Sequence, residues 1–305
     1  MKNIFNLILL LSLSIAMQSC FSMQDEVWIE ADGSGRLEAT MDLSSMYPFL
    51  MMGLQEGMNK DKDGDGKPEE SDPFTSMMNG MLTAEEIDTT INFGDMIGSA
   101  LAEEGMSWEQ MLDSLRNAPP EADVTEEQKE VMLAMFEEMQ GLHLRMQSSK
   151  ANQTFKSTTI QSFESIGTMN SFGETMMEMI ELMAEEEGNA SPFGQGGEGD
   201  AILQQFSNAQ TQLDLNGNTL RIRRAGMDVS ILGEEFEQNF SMIKMFLGNE
   251  PYRMIVHFPG KVRKVSSSVA EKVDKNTVAI EIPLDDLFDS EKIVDVEVQF
   301  KGLKK

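Results

Sequence analysis

One cysteine, two histidines and two tryptophans are all that 305 residues hold of these types. A lone cysteine excludes an intramolecular disulfide framework and any cysteine-rich zinc or iron–sulfur centre. His143 and His257 leave little material for an imidazole-based metal site. Bases are scarce as well: 24 Lys and Arg stand against 52 Asp and Glu, a net charge of -28. Affinity for nucleic acid comes largely from Lys and Arg neutralising phosphates, so no nucleic-acid partner is expected. The glycines from Gly194 to Gly199 have no strand leading in and no helix start behind them, so they are not a nucleotide fingerprint. No nucleophile elbow and no other catalytic constellation is found, and the chain is expected not to be an enzyme.

Methionine is what the chain has in excess. It contributes 27 residues, well above its usual rank. Of these, 20 lie between Met41 and Met183. Charge follows a similar gradient: residues 25–140 carry a net -22, residues 141–200 a net -6 and residues 201–305 a net -1. An apolar fraction of 40% still suffices for a core.

The N-terminus runs Met1-Lys2-Asn3, then an apolar stretch from Ile4 to Ala16, then Met17-Gln18-Ser19-Cys20. A positive start, a short apolar core and a small residue before a cut site read as a secretory signal over residues 1–19. The stretch is too short to span a bilayer, which takes about 20 residues.

The cysteine closing that signal resembles the lipobox of bacterial lipoproteins. Ser19 fits the small position before the cut, while Gln18 and Met17 depart from the Leu-Ala-Gly type of box. The resemblance implies acylation of Cys20, residues 20–25 as a tether, and a membrane partner reached through the lipid. Each buried methylene contributes about 0.8 kcal/mol, and two or more chains hold stably. Phe21, where Asp would mark inner-membrane retention, implies the outer membrane, on its periplasmic face or the cell surface. Gln24-Asp25-Glu26 resembles the acidic export signals of lipoproteins of Bacteroidetes.

The fold class expected is α+β, an antiparallel sheet with helices on one face and an acidic, Met-rich helical insertion. Val27–Ala31 and Arg36–Met41 flank Asp32-Gly33-Ser34-Gly35 as a hairpin. Capping boxes at Thr83/Glu86, Ser107/Gln110 and Ser171/Glu174 predict three helix starts, and Thr125–Gln140 predicts a further helix. Residues 142–163 predict a second hairpin turning at 150–153, and Asn216-Gly217-Asn218 a third. Glu234–Leu247 reads as a helix. Tyr252–Phe258, Lys261–Val269, Thr277–Ile282 and Ile293–Phe300 read as strands. Residues 26–190 would carry the hairpins and insertion, 191–200 a Gly-rich linker, and 201–305 a sheet-rich part sharing one domain with the first hairpins. Phe258-Pro259-Gly260-Lys261-Val262 and the stretch from Asn276 to Leu284 resemble the LppM-type domain of bacterial cell-envelope proteins, which implies an envelope α+β domain.

The sharpest chemical motif is Asp61-Lys62-Asp63-Gly64-Asp65-Gly66-Lys67-Pro68-Glu69-Glu70-Ser71-Asp72. Calcium takes six to eight oxygens, and carboxylates at alternate positions converge on one ion where a glycine lets the chain turn. Asp61, Asp63 and Asp65 supply those carboxylates, Lys67 a backbone carbonyl, and Glu69 and Asp72 close the shell. Pro68 and Asp72 depart from an EF-hand, and the pattern resembles the thrombospondin type 3 calcium repeat, with Glu69 in place of one Asp. Calcium is therefore the expected cofactor, held for rigidity. The other reading is a solvated acidic loop.

The methionine clusters Met51-Met52, Met77-Met78-Met81 and Met176-Met177-Met179-Met183 admit three readings. They are ordinary core, an adaptable groove for a lipid or peptide, or a thioether Cu(I) site. The function expected is a membrane-anchored envelope lipoprotein acting as a binding or scaffolding module for a protein, with a carrier of an apolar ligand as the alternative.

Overall fold

The first hairpin forms because its turn is locally encoded. Gly33 takes φ 91°, and the Asp32 carboxylate accepts from the Ser34 amide at 3.1 Å and the Ser34 hydroxyl at 2.7 Å. β1 (Gln24–Ile29) and β2 (Gly35–Asp42) pair antiparallel around it. The structure is a computed structural model, and it describes residues 24–44, 47, 84–103, 105–117, 126–171, 175, 211–227 and 251–303. The expected signal, Cys20, the 61–72 loop, the 191–200 linker and the Glu234–Leu247 helix lie outside the described residues. β1 begins at Gln24 and buries Asp25, two residues that the expected tether included.

The helix expected at Thr83/Glu86 is instead β3 (Glu86–Asn92). Four β-branched residues, Ile87, Thr89, Thr90 and Ile91, favour the pleat over a helix. The insertion between the first two hairpins therefore contains a strand and is not helical throughout. α1 (Phe93–Glu103) follows, with Asn92 as its cap accepting from the Asp95 amide at 3.0 Å. α2 (Trp108–Asn117) starts at the predicted box: Gln110 N–H donates to Ser107 Oγ at 3.1 Å, and Ser107 N–H to Gln110 Oε1 at 2.8 Å. α3 (Glu126–Met139) buries Met135, Phe136 and Met139.

β4 (Leu142–Ser149) and β5 (Thr154–Phe163) form the second hairpin, with Gln153 at φ 53° in its turn. A helical turn then opens at Ile166, where Ser165 Oγ accepts from the Thr168 amide at 3.1 Å. Ser171 lies inside that turn and is not a helix start; its hydroxyl donates to the Thr168 carbonyl at 2.8 Å. β6 (Gln212–Asn216) and β7 (Thr219–Ala225) make the third hairpin around Gly217 at φ 54°.

β8 (Tyr252–His257), β9 (Lys264–Val265), β10 (Ala270–Lys272), β11 (Thr277–Ile282), the short α4 (Leu284–Leu287) and β12 (Ile293–Gln299) complete the described elements. The strand expected over Lys261–Val269 is broken because this segment changes sheets. Val262 N–H bonds to the Lys275 carbonyl, while Arg263 N–H bonds to Gln299 and Ser266 N–H to Glu297 in β12. Such sheet switching makes the corner of a sandwich.

Two sheets result. The larger runs β10-β11-β8-β1-β2-β5-β4-β3 and the smaller β6-β7-β12-β9. The pairs are antiparallel, as expected, except that β1 and β8 pair parallel. This arises because β8 enters the sheet beside β1 after a long connection rather than through a hairpin. On one face of the large sheet, Val27, Ile29, Phe163, Met254, Val256, Val278 and Ile280 pack against Leu213, Leu220, Ile222, Val296 and Val298 of the small sheet. Farther along, Leu142 and Met146 are buried on the face that register alternation assigns to Phe163, and α1 packs against β3 and β4 there. The fold is thus α+β, with the smaller sheet and the helices sharing the covering of one large sheet.

Candidate functional site

Alternation along β1 points Asp25, Val27 and Ile29 inward, so a carboxylate enters the sandwich interior. Alternation along β7 does the same for Leu220, Ile222 and Arg224. Tyr252 opens β8 beside them. Asp25, Arg224 and Tyr252 are 8%, 6% and 1% exposed. The Tyr252 hydroxyl donates to Asp25 Oδ2 at 2.5 Å. The Arg224 guanidinium lies 4.4 Å over the Tyr252 ring, and its Nη1 donates to Thr211 Oγ1 at 3.0 Å. Burial, with the Asp25 carboxylate beside it, holds the Tyr252 phenol protonated well above the ordinary phenol range, against the opposing pull of Arg224. Opposite charges buried around one neutral phenol form an internal clamp, because either charge left alone in that interior would be strongly unfavourable.

The other face of the large sheet carries a second cluster. Arg36, Trp28, His257 and Thr277 are direct register partners on β2, β1, β8 and β11. Adjacent strands lie about 4.8 Å apart, a spacing that lets flat groups stack across them. Arg36 sits 4.4 Å over the Trp28 ring, and Trp28 stacks on His257 at 5.0 Å with an interplanar angle of 9°. Glu26 and Glu38 are opposite each other one row away, a like-charge pairing that costs stability. Arg36 at 3.1 Å from Glu38 offsets it, and His257 Nε2 lies 3.5 Å from Glu26. Both ring faces of Trp28 are thereby occupied within the chain.

Ion pairs extend along the exposed faces. The bidentate Arg145 guanidinium holds Asp88 below the usual carboxylate range, at 2.8 and 2.6 Å. Arg221 does the same to Asp295. Burial raises Glu138 on α3, and a hydrogen bond from Ser171 at 3.3 Å partly opposes it.

Cys20 and the proposed ligands Asp61, Asp63, Asp65, Lys67, Glu69 and Asp72 lie outside the described residues. Among the described residues, no three His, Cys, Asp or Glu side chains are grouped to hold a metal ion, and no helix is long and apolar enough to cross a membrane. Of the methionines, Met135, Met139, Met146, Met169, Met227 and Met254 are core residues, while the clusters at 51–52, 77–81 and 176–183 lie outside the described residues. Sequence reasoning missed the Asp25–Arg224–Tyr252 clamp. Its one available signal was a charged residue at an inward position of two alternating strands.

No family model, no curated protein and no solved structure matches this chain.

Proposed function

We propose that the chain is a lipid-anchored protein of the bacterial cell envelope, acting as a binding or scaffolding module rather than as an enzyme. The observation that carries the reading is the position of the only cysteine, at the end of a signal-like apolar run and after a small residue. The start of β1 at Gln24 supports it, since the signal-like run and Cys20 both lie upstream of the first described strand. Two clusters of the described fold are engaged from within, which supports a role other than catalysis for them: Trp28 is stacked on both sides, and Asp25 and Arg224 meet across Tyr252. The carrier reading would rest on the methionine clusters outside the described residues.

Radiolabelled palmitate is expected to label the wild-type protein in cells and to leave Cys20→Ala unlabelled. Label retained on Cys20→Ala would refute the anchor.

Within that module we assign the 61–72 loop a calcium ion, held by Asp61, Asp63, Asp65, Glu69, Asp72 and the Lys67 carbonyl, for rigidity. Titration calorimetry with calcium is expected to give heat for the wild type and none for Asp63→Ala/Asp65→Ala. Equal heats from the two proteins would remove the site.

A further inference from the structure

Basic side chains are few, and most are spoken for. Arg36, Arg116, Arg145, Lys156, Arg221, Arg223, Arg253 and Lys292 each have a carboxylate within 4 Å. Lys129 and Arg224 are engaged as well. Six others are not ion-paired among the described residues: Lys261, Arg263, Lys264, Lys272, Lys275 and Lys301. Outside this group only Lys150 shares that state among the described residues.

The six are gathered at one corner by the backbone. Lys301 N–H bonds to the Lys261 carbonyl at 3.1 Å, and Val262 N–H to the Lys275 carbonyl at 2.8 Å. Lys272 Nζ donates to the Val262 carbonyl at 3.0 Å. Lys264 is paired in register with Gln299 on β12. All six side chains are exposed. Residues 261–275 carry a net +3, with Glu271 and Asp274 as their acids, inside a chain of net -28. Cations left unpaired where acids outnumber bases about two to one mark a surface kept open for an anion outside the fold.

Two features decide the kind of anion. Five of the six are lysines, hydrated point charges that suit a diffuse anionic surface, whereas bidentate recognition of a single phosphate favours arginine. Val273, between Lys272 and Asp274, is 52% exposed, one of two large apolar side chains that protrude among the described residues. An apolar tip beside Lys272 and two residues from Lys275 matches the interface of a bilayer, with charge in the headgroup layer and carbon below it. The six offer no aromatic ring on which a base could stack, as single-stranded nucleic acid requires.

We propose that the corner formed by residues 261–275 and Lys301 is a contact surface for an anionic phospholipid bilayer. Screening at physiological salt acts over about 8 Å, so the local sign of this corner governs the contact, not the net charge of the chain. The surface lies where β8 ends and β11 begins, whereas β1 starts at the opposite end of the same sheet, beside Arg253. The contact is therefore distinct from an anchor at Cys20 and does not depend on it.

The test is vesicle co-sedimentation of the full chain with phosphatidylcholine and with equimolar phosphatidylcholine–phosphatidylglycerol. Any contribution of the apolar N-terminal run appears on both vesicle types alike. The wild type is expected to bind the anionic vesicles at least about tenfold more tightly, more weakly as salt rises. A lysine near an anionic surface contributes about fivefold in affinity, so Lys261→Gln/Lys264→Gln/Lys275→Gln should lose about 100-fold on anionic vesicles. Arg116→Gln/Lys150→Gln/Lys292→Gln, with the same change in charge elsewhere, should retain wild-type binding. Val273→Asp should weaken the anionic contact with an unchanged circular dichroism spectrum. Equal binding of the patch triple variant and the wild type, or equal wild-type binding to both vesicle types, overturns the proposal. Tighter binding to soluble polyglutamate than to anionic vesicles overturns it in favour of an acidic protein partner.

Discussion

Replacing Arg224 by methionine is expected to destabilise the protein by about 3–5 kcal/mol, the range found when one partner of a buried charge pair is removed. Methionine approximates the length of the arginine stem, so little cavity opens and the loss is mainly electrostatic. What it leaves is the Asp25 carboxylate, 8% exposed, with Tyr252 still donating at 2.5 Å but no cation over the ring. One hydrogen bond to a charged group is worth about 1.5–3 kcal/mol and does not offset the loss of the buried cation on the other side of the Tyr252 ring. In a chain of this size the melting temperature should fall by roughly 10 °C. The double variant Asp25→Asn/Arg224→Met should recover most of that loss, because a neutral amide can keep the Tyr252 hydrogen bond without a buried charge. Thermal and urea unfolding followed by circular dichroism measure both. A loss under about 1 kcal/mol for Arg224→Met, or a double variant less stable than the sum of the singles, would show that the clamp does not couple these residues.

The second large effect is steric. A Cβ at Gly35 would lie 2.0 Å from the Trp28 carbonyl oxygen and 2.5 and 2.8 Å from the Phe163 ring. Gly35 pairs with both Ile29 and Phe163, so the ring of a core residue lies across bare backbone. Gly35→Ala must push either that ring or strand β1, and a cost of about 3 kcal/mol is expected, near the upper end of overpacking changes. Gly33→Ala, two residues earlier, is the control. Nothing lies within 4 Å of its Cβ, and the cost comes only from φ 91°, about 1 kcal/mol. Gly35→Ala/Phe163→Leu should regain part of the loss. Chemical unfolding curves in which the two alanine variants are equally stable would rule out close packing as the reason for glycine at 35.

Some of this architecture is legible in the residues themselves. Asp32-Gly33 and Asn216-Gly217 name their turns, because φ > 0 and a side-chain acceptor are needed at adjacent positions. The Ser107/Gln110 box names the start of α2, since both partners lie within one turn. Val294, Val296 and Val298 announce β12 by alternation alone. Cys20 and the 61–72 loop are legible as motifs for the same reason: every group they need lies within a dozen residues.

Other features were settled only in three dimensions. Thr83 and Glu86 have the spacing of a helix cap, yet pairing with β4 drew Glu86–Asn92 into the sheet, because tertiary hydrogen bonds outweigh a local propensity of a few tenths of a kcal/mol per residue. The segment from Lys261 to Val269 reads as one strand, yet Val262 bonds to Lys275 beside the large sheet while Arg263 and Ser266 bond to β12 of the small one. Asp25 reads as part of an acidic tether and becomes an interior anion, and Arg224 becomes a buried cation over the Tyr252 ring. The Tyr252 hydroxyl meets Asp25 across 227 positions of sequence. Turns, caps and alternation are set by neighbours within a few residues. The partner of a buried charge depends on which distant strand the parallel β1–β8 pairing places beside it, and that is fixed by the packing of the whole sheet.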